Sequence, residues 1–445
     1  MKSPHIAPTE VHATLARHML ADGYDMVLDL ERSHGRRLYD SRTGREVLDL
    51  FSFFATLPIG FNHPRMKDPD FLAKLTRAAL VNPTNSDIYS TEFAEFVEVF
   101  GRVAMRPWLP NAFFVAGGSL GVENAVKAAM DWKVRQNIRK GVPGEKGTQI
   151  LHFREAFHGR SGYTVSMTNT ADPRKYQYFA RFDWPRVSNP HLRFPVTPAE
   201  LERVQQAEAT TIAEIRRAFA ERPHEIAAIL VEPIQAEGGD HHFRPEFLAT
   251  LKAVAHEHDA LLVFDEVQTG VGLTGTFWAH EGLGMQPDLV SFGKKMQVCG
   301  MLGGGRLMDE PDNVFKVSSR INSTWGGNLV DMVRCQRYLE IIEEEGLVQN
   351  AATVGAYLLS QLEAAQARMP EVLSNARGRG LMCAVDFADT ETRNRIADTA
   401  YELGMIILPC GHRSLRFRPP LDITRAEVDE AMTILLKAVD HVLAR

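Results

Sequence analysis

The sequence is poor in the features that would place a protein outside the cell or in a membrane. Its 445 residues include only four cysteines, Cys299, Cys335, Cys383 and Cys410, which lie far apart and form no CxxC pair. This spacing indicates neither a disulfide framework nor a zinc site. The first twenty residues contain no apolar run that could form a signal-peptide core, and no later run is long enough to span a bilayer. We therefore expect a cytoplasmic protein.

The chain also lacks a strong charge of either sign. A net charge of -6 and a pI near 6.3 give no electrostatic basis for binding nucleic acid or an anionic membrane. There is no internal repeat and no low-complexity tract. With 44% hydrophobic and 24% charged residues, the composition is typical of a soluble globular protein with room for more than one domain.

From about residue 110, short apolar runs alternate with helical patterns. The runs are FFVAGG, TQILHF, AAILVEPI, LLVFDEV and DLVSF, which are typical of strands buried on both faces of a sheet. The helical patterns include apolar positions 122, 125, 126 and 129 and the stretch PAELERVQQAEATTIAEIRRAFAERP. Upstream, residues 36–54 predict a hairpin, and Thr424 to Glu427 have the spacing of a helix capping box. The alternation predicts an α/β fold with a mostly parallel sheet.

Polar residues follow three of these strands, at the sheet edge where open α/β sheets bind ligands. Gly117-Gly118-Ser119 leads directly into a helix, which suits an anion or phosphate, although a Gly-Gly pair is more often only a tight turn. Asp265 ends the strand LLVFD. A buried carboxylate needs a cationic or hydrogen-bonding partner, such as a protonated pyridine nitrogen. A capping or loop-bracing role is equally open for Asp265.

Lys294 follows the strand DLVSF and Gly293. A desolvated lysine at such a position has a lowered pKa and a nucleophilic amine, although most paired lysines are solvated surface charges. Phe157, in AFHGRSGY, has a ring that suits stacking on a flat cofactor, but a lone aromatic is more often part of the core.

Two arginines and one acid complete the candidates. Arg160 and Arg416 suit carboxylates because guanidinium groups bind them through two parallel hydrogen bonds. Each arginine alone is more often part of a structural ion pair. Glu237 lies in the glycine-rich segment EPIQAEGGD, where a solvated loop acid is the plainer interpretation.

Together these residues describe one ligand. The set contains a phosphate holder, an acid for a ring nitrogen, an amide at Gln268 for a ring hydroxyl, a stacking aromatic and a lysine able to form a Schiff base. That combination predicts pyridoxal 5'-phosphate as the cofactor.

The segment LVFDEVQTGVGLTGTFWAHE, followed by PDLVSFGKK, resembles the signature of class III aminotransferases, which are fold-type I pyridoxal-phosphate enzymes. In that pattern the Schiff-base lysine is the sixth residue after the Asp of the PD pair. Counting from Asp288 selects Lys294 over Lys295. The resemblance covers nearly the whole chain, since ILVEPIQAEGGD, FHGRSGY, NSTWGGN and RFRPPL match in order. Blocks such as NSDIYS and RGRGLMCA are most similar to the branch that acts on the terminal amine of L-lysine.

The resemblance implies an α/β fold with a large domain on a mostly parallel seven-stranded sheet and a smaller α+β domain. The implied division is residues 1–75 for the N-terminal part of the small domain, 76–330 for the large domain and 331–445 for the rest of the small domain.

It also implies roles. Lys294 is the catalytic residue; the cofactor contacts are Gly118, Ser119, Phe157, Asp265, Gln268, Lys294 and, from the neighbouring subunit of a homodimer, Thr324. The substrate contacts are Arg160, Glu237, Asn322 and Arg416. The expected substrates and product are L-lysine, 2-oxoglutarate and L-glutamate, with Glu237 neutralising Arg416 while lysine is bound.

Other interpretations remain open at the level of sequence. Ornithine or 4-aminobutyrate could be the donor within the same family, because the distinction depends on pocket length. A racemase or aminomutase on this fold would need no second substrate. A cofactor-free protein that binds a nucleotide through residues 117–121 would leave Lys294, Asp265 and Gln268 unexplained.

Overall fold

The structure is a computed structural model that describes residues 5–444. Its strands are β1 (Arg37–Tyr39), β2 (Glu46–Asp49), β3 (Asn111–Val115), β4 (Gln149–Phe153), β5 (Arg186–Val187), β6 (Ile226–Val231), β7 (Ile234–Gln235), β8 (His241–His242), β9 (Leu261–Asp265), β10 (Leu289–Phe292), β11 (Cys299–Gly303), β12 (Ser374–Arg379), β13 (Met382–Asp386), β14 (Met405–Ile406), β15 (Leu408–Cys410) and β16 (Ser414–Phe417).

The helices are α1 (Val11–Ala16), α2 (Ser52–Ala55), α3 (Pro69–Leu80), α4 (Thr91–Val103), α5 (Gly118–Arg139), α6 (Gly162–Met167), α7 (Pro198–Glu221), α8 (Pro245–Glu257), α9 (Ala279–Gly282), α10 (Leu329–Glu344), α11 (Leu347–Arg368), α12 (Thr390–Glu402) and α13 (Arg425–Leu443). None of the helices in the described part of the chain is long and apolar enough to cross a membrane.

A seven-stranded sheet in the order β3-β11-β10-β9-β6-β4-β5 forms the centre of the molecule. All neighbouring strands are parallel except β11, which runs antiparallel to both β10 and β3. The predicted α/β class and mostly parallel sheet are confirmed, and the five apolar runs form β3, β4, β6, β9 and β10. The sequence reasoning missed β11, because its segment CGMLG is short and glycine-rich.

Alternate residues of the central strands face two hydrophobic cores. In β9, Leu262 and Phe264 belong to one core, while Leu261 and Val263 belong to the other. The predicted helical face at positions 122, 125, 126 and 129 of α5 packs into the second core. The strands are therefore covered on both faces, which leaves their ends as the accessible parts of the sheet.

Two smaller sheets accompany the central one, and the three-stranded sheet joins the two ends of the chain. The predicted hairpin is confirmed as β1 paired with β2, but its second strand ends at Asp49, and β14 from the C-terminal part pairs parallel to it. A four-stranded sheet has the order β12-β13-β16-β15. The last helix, α13, carries the predicted capping box between Thr424 and Glu427.

Close packing fixes the position of α5 against the sheet. A Cβ atom on Gly300 of β11 would lie 2.0 Å from the carbonyl oxygen of Phe113, and one on Gly121 of α5 would lie 2.7 Å from the carbonyl oxygen of Gly300. Only glycine permits these approaches. The N-terminus of α5 is thus held at the end of β3.

We predict that Gly300→Ala lowers the free energy of unfolding by about 3 kcal/mol, because the new methyl group must displace the backbone of β3. Gly101→Ala is the matched control, since a Cβ at Gly101 in α4 would meet nothing within 4 Å. That control should gain up to about 1 kcal/mol from helix propensity. Thermal unfolding measures both variants, and equal melting midpoints would contradict the packing argument.

Candidate active site

A cavity of about 260 Å³ opens at the carboxyl ends of β3, β9 and β10. Its lining residues are Gly118, Ser119, Phe157, His158, Gly159, Glu232, Glu237, Asp265, Val267, Gln268 and Lys294. Seven residues singled out from the sequence therefore converge on one space, although they span about 180 residues of the chain, counted from Gly118 to Lys294.

Asp265 is the buried acid of the cavity. One of its oxygens, Oδ2, lies 2.8 Å from Nδ1 of His158. The other, Oδ1, accepts hydrogen bonds from the backbone N–H of Val267 and the hydroxyl of Ser291, both at 3.1 Å. A carboxylate buried this deeply is stable as an anion only with such partners. Asp265 is therefore held in place as an acceptor for a further donor in the cavity.

Sequence reasoning missed His158 and Glu232, although both lie in motifs that it used. His158 is buried, and its Nε2 has no hydrogen-bond partner among the described residues. Glu232 accepts the backbone N–H groups of Phe157 at 2.9 Å and Ala236 at 3.1 Å. Burial raises the pKa of Glu232 to about 7, despite the opposing effect of His158. Their places in the sequence could have identified them, because His158 adjoins Phe157 and Glu232 follows β6 directly.

The first turn of α5 has a geometry that suits an anion, and we call it the cradle. The helix begins at Gly118 after Gly117, whose φ of +108° lies in the region open to glycine. Ser119 Oγ lies 2.7 Å from the hydroxyl of Thr164. A Cβ atom on Gly159 would come within 2.3 Å of Ser119 Oγ, so the backbone approaches the cradle closely. Free N–H groups and the helix dipole favour a phosphate at this point.

Lys294 follows β10 and Gly293 with a left-handed backbone, at a φ of 49°. Its Nζ donates to the carbonyl oxygen of Phe54 at 3.2 Å. Burial, followed by the charge of Arg416, lowers the pKa of Lys294 to about 8, with Glu237 acting in the opposite direction. An amine with this pKa is uncharged in a useful fraction of molecules near neutral pH, which makes it a nucleophile.

The carbonyl groups that face Lys294 come from an unusual turn. The single turn α2 is left-handed, with φ values of 40°, 53°, 61° and 66° at Ser52, Phe53, Phe54 and Ala55. Residues other than glycine adopt this backbone at a cost of roughly 1–2 kcal/mol each, and such strain clusters at functional sites. No pattern in the sequence predicts this turn, since SFFA contains no glycine, asparagine or aspartate.

Contacts from both sides hold this turn. The buried Asp49 accepts the backbone N–H groups of Phe51 at 2.9 Å and Ser52 at 2.6 Å. Lys295 Nζ donates to the carbonyl oxygen of Ala55 at 3.1 Å, beside the contact that Lys294 makes to Phe54. Burial lowers the pKa of Lys295 well below its ordinary value. The two lysines thus have different positions, because Lys294 lines the cavity and Lys295 anchors the turn.

Arg416, at the edge of the site, is almost completely buried. Its Nη2 donates to Oε2 of Glu237 at 2.6 Å, and its Nη1 donates to Oε1 of Gln268 at 3.3 Å. Arg418 Nε donates to the same Gln268 oxygen at 3.2 Å. Because arginines only donate, the amide oxygen of Gln268 must face them, which leaves its NH₂ group free to donate elsewhere.

Four predicted residues are not part of the cavity lining: Arg416 lies at its edge, and the other three lie further away. Arg160 is exposed just before α6, and Asn322 and Thr324 are exposed in the segment before α10. The loop that contains Asn85 and Ser86 holds that segment, since Ser86 Oγ donates to the carbonyl oxygen of Ser323 at 2.9 Å. The roles of these three residues stay predictions.

Comparison with known proteins assigns the family. Residues 19–439 match the profile of the family described as aminotransferase class III. The chain belongs to the class III aminotransferases.

Two relatives and one solved structure define its neighbourhood. The L-lysine-epsilon aminotransferase of Streptomyces clavuligerus is 52% identical over 436 residues, covering 97% of this chain and 94% of the relative. The human mitochondrial 4-aminobutyrate aminotransferase is 33% identical over 432 residues, covering 90% of this chain and 82% of the relative. The structure of the lysine aminotransferase from M. tuberculosis in the internal aldimine form has a TM-score of 0.96 and 50% identity, covering 98% of this chain and 100% of that one.

Class III aminotransferases use pyridoxal phosphate, and the cavity fits this cofactor. A helix N-terminus suits the phosphate, a buried carboxylate suits a protonated ring nitrogen, and an amine of lowered pKa suits the aldehyde. These three features stand at the ends of three different strands, so one flat ligand can reach them all.

The pKa of Lys294 gives a testable pH profile. In the cofactor-free protein, acetylation of Lys294 should rise with pH and reach half its maximum near pH 8, because the uncharged amine is the nucleophile. Peptide mass spectrometry resolves the Lys294 peptide from the other lysines, and Lys294→Ala is the control for its assignment. A midpoint near the ordinary lysine value of 10.5 would contradict the burial argument.

Proposed function

We propose that this class III aminotransferase is an L-lysine 6-transaminase. It transfers the ε-amino group of L-lysine to 2-oxoglutarate, which gives L-glutamate and 2-aminoadipate 6-semialdehyde, and the semialdehyde cyclises to piperideine-6-carboxylate. The observation that carries the proposal is the Lys294 cavity bordered by the Glu237–Arg416 ion pair, in a chain about half identical to lysine ε-aminotransferases along nearly its whole length.

The contrast between the two groups of relatives supports lysine as the donor. Identity falls from 52% for the lysine enzyme of S. clavuligerus to 33% for the human 4-aminobutyrate enzyme. Ornithine and 4-aminobutyrate are the alternative donors, because all three substrates present a terminal primary amine. Their lengths and charges differ, so the pocket beyond Lys294 decides between them.

Each contact proposed for the cofactor follows from a feature of the cavity. Gly118 and Ser119 bind the phosphate at the start of α5, and the ring of Phe157 stacks on the pyridine. Asp265 accepts a hydrogen bond from the protonated ring nitrogen, and its other hydrogen bonds already fix its orientation. Gln268 donates its free NH₂ group to the ring hydroxyl, since two arginines occupy its oxygen.

Lys294 moves the proton in the reaction. When bound, pyridoxal phosphate supplies an aldehyde carbon that condenses with amines and a ring that withdraws electrons. The Nζ of Lys294, freed when the substrate amine takes its place, accepts a proton from the terminal carbon of the substrate. It would then deliver that proton to the former aldehyde carbon of the cofactor rather than back to the substrate, so that the amino group stays behind and the substrate leaves as an aldehyde. Asp265 supports this step by keeping the ring nitrogen protonated.

Two substrates of different charge must use one pocket. The distant α-carboxylate of lysine binds Arg160, with Asn322 as a further contact, and Glu237 neutralises Arg416 meanwhile. 2-Oxoglutarate has a second carboxylate beside its ketone, which binds Arg416 after Glu237 has turned away. Exchange of one carboxylate for another on Arg416 is favourable because a buried guanidinium is never left unpaired.

We also infer a homodimer in which Thr324 contacts the phosphate in the neighbouring site. Thr324 is exposed, and the adjoining Trp325 is 48% exposed. Ile88 and Tyr89, which follow the loop that holds this segment, are 69% and 75% exposed. Large apolar side chains grouped in this way are typical of a surface that another chain covers.

A half-reaction tests the donor. L-Lysine mixed with the holoenzyme, without a keto acid, should remove the absorbance of the enzyme-bound cofactor at least about tenfold faster than L-ornithine or 4-aminobutyrate, since one methylene or a missing charge costs about this much. Stopped-flow absorbance gives the rates, and trapping the cyclic imine identifies the product.

The outcomes separate the alternatives. Faster conversion of ornithine or 4-aminobutyrate would leave the mechanism intact but replace the substrate. Conversion of none of the three would contradict an ω-aminotransferase, and turnover of lysine without 2-oxoglutarate would indicate a racemase or aminomutase.

Glu237→Ala tests the exchange on Arg416. The variant should slow the lysine half-reaction about tenfold, because Arg416 is left uncompensated, while the half-reaction with L-glutamate stays within about twofold. Glu237→Gln, which keeps the shape but not the charge, should behave like the alanine variant. Equal rates in both half-reactions, whether changed or unchanged, would exclude this role.

A further inference from the structure

Glu237 is bound by two cations rather than one. Its Oε2 accepts from Nη2 of Arg416 at 2.6 Å, and its Oε1 forms a close ion pair with Nζ of Lys175. The two cations therefore use different oxygens of one carboxylate. Burial opposes ionisation of Glu237, but Arg416 and Lys175 outweigh it and hold the pKa of the carboxyl below its ordinary value.

Lys175 is committed to this contact. It ends a short 3-10 turn, Pro173–Lys175, and its side chain is only 19% exposed. Within residues 5–444, Glu237 is the one ion-pair partner of Lys175. The neighbouring acid Asp172 pairs with Arg174 instead, at 2.8 Å. Lys175 Nζ also lies 5.9 Å from the centre of the Phe157 ring, a distance typical of a cation–π contact. Lys175 thus bridges the carboxylate and the cofactor-stacking candidate.

A second cavity next to Glu237 has room for its side chain. This cavity has a volume of about 420 Å³ and is lined by Lys175, Glu237, Arg393 and residues of the segments 170–174 and 409–412, among others. Arg393 is buried there and donates to the carbonyl oxygens of Cys410 at 3.0 Å and Ser414 at 3.3 Å. Apart from Glu237, the lining has three cationic side chains and only one acid, Asp172, so this space suits a carboxylate.

We propose that Lys175 is a positioning residue that retains the Glu237 carboxylate when it leaves Arg416 and turns toward this second cavity. Without such a partner, Glu237 would become an unpaired, partly buried anion when it leaves Arg416. The free-energy cost would weaken binding of the substrate that needs Arg416. With Lys175 present, one of the two ion pairs of Glu237 survives the exchange. The inference rests on the proposed function, since it concerns binding of the dicarboxylate acceptor.

The role predicts an unequal effect on the two substrates. Lysine leaves Glu237 on Arg416, so Lys175 is not needed for its binding. 2-Oxoglutarate must displace Glu237, so loss of Lys175 should weaken its binding alone. A purely structural role for Lys175 would impair both substrates together.

The test uses the holoenzyme and its aminated form in separate half-reactions. Lys175→Met should raise the apparent Kd for 2-oxoglutarate about tenfold, the effect of one lost charged hydrogen bond, and leave that for L-lysine within about twofold. Lys175→Arg should restore binding of 2-oxoglutarate. Lys140→Met is the matched control, because it removes a lysine from an exposed ion pair with Asp259 and should change neither constant.

A double variant separates this inference from the proposed function. In a Glu237→Ala background, Lys175→Met should have no further effect on 2-oxoglutarate, since no carboxylate remains to be retained. If Glu237→Ala separates the two half-reactions but Lys175→Met shifts both substrates equally, or neither, the role of Lys175 is wrong and the exchange on Arg416 stands. If Glu237→Ala does not separate them, the exchange itself fails and Lys175 has nothing to retain.

Discussion

The site depends on burying the carboxylate of Asp265 together with enough hydrogen-bond partners. This residue ends a strand with both faces covered, where an unpaired charge would cost several kcal/mol. His158, Ser291 and the backbone of Val267 supply the hydrogen bonds that lower this cost. Because these partners already hold both oxygens, the carboxylate has a fixed direction when a protonated ring nitrogen approaches. In the proposed complex, that direction would set the position of the flat cofactor, and hence of its aldehyde relative to Lys294.

Other buried acids around the cavity are held by partners of their own. Glu232 and Asp49 accept backbone N–H groups, and Glu237 lies between Arg416 and Lys175. The segments that carry these groups come from both ends of the chain as well as from the central sheet. Pairing therefore does more than offset the cost of burial, because it fixes the N-terminal turn α2 and the C-terminal strand β16 against the ends of β9 and β10. These contacts assemble the surroundings of Lys294.

The sequence predicted the sheet and the strand ends better than the contacts between them. Apolar runs identify β3, β4, β6, β9 and β10 because strands buried on both faces leave a continuous signal, and Asp265 and Lys294 stand directly after two of them. The left-handed turn at 52–55 escaped prediction, since tertiary contacts from Lys294 and Lys295 stabilise a backbone that its own residues disfavour. Lys175 escaped for a related reason, because a lysine in an irregular segment looks solvated until its distant partner is known.

The Glu237–Arg416 pair also bears on the reactivity of Lys294. Arg416 lowers the pKa of the Lys294 amine, and Glu237 raises it. If Glu237 left and nothing replaced it, the uncompensated guanidinium would lower that pKa further and weaken Lys294 as a proton acceptor. In the proposed exchange, the second carboxylate of the acceptor takes the place of Glu237, so that Arg416 faces one anion in both half-reactions. The amine therefore meets nearly the same electrostatic surroundings with a monocarboxylate and with a dicarboxylate, which is what a single proton-transfer residue requires to serve both.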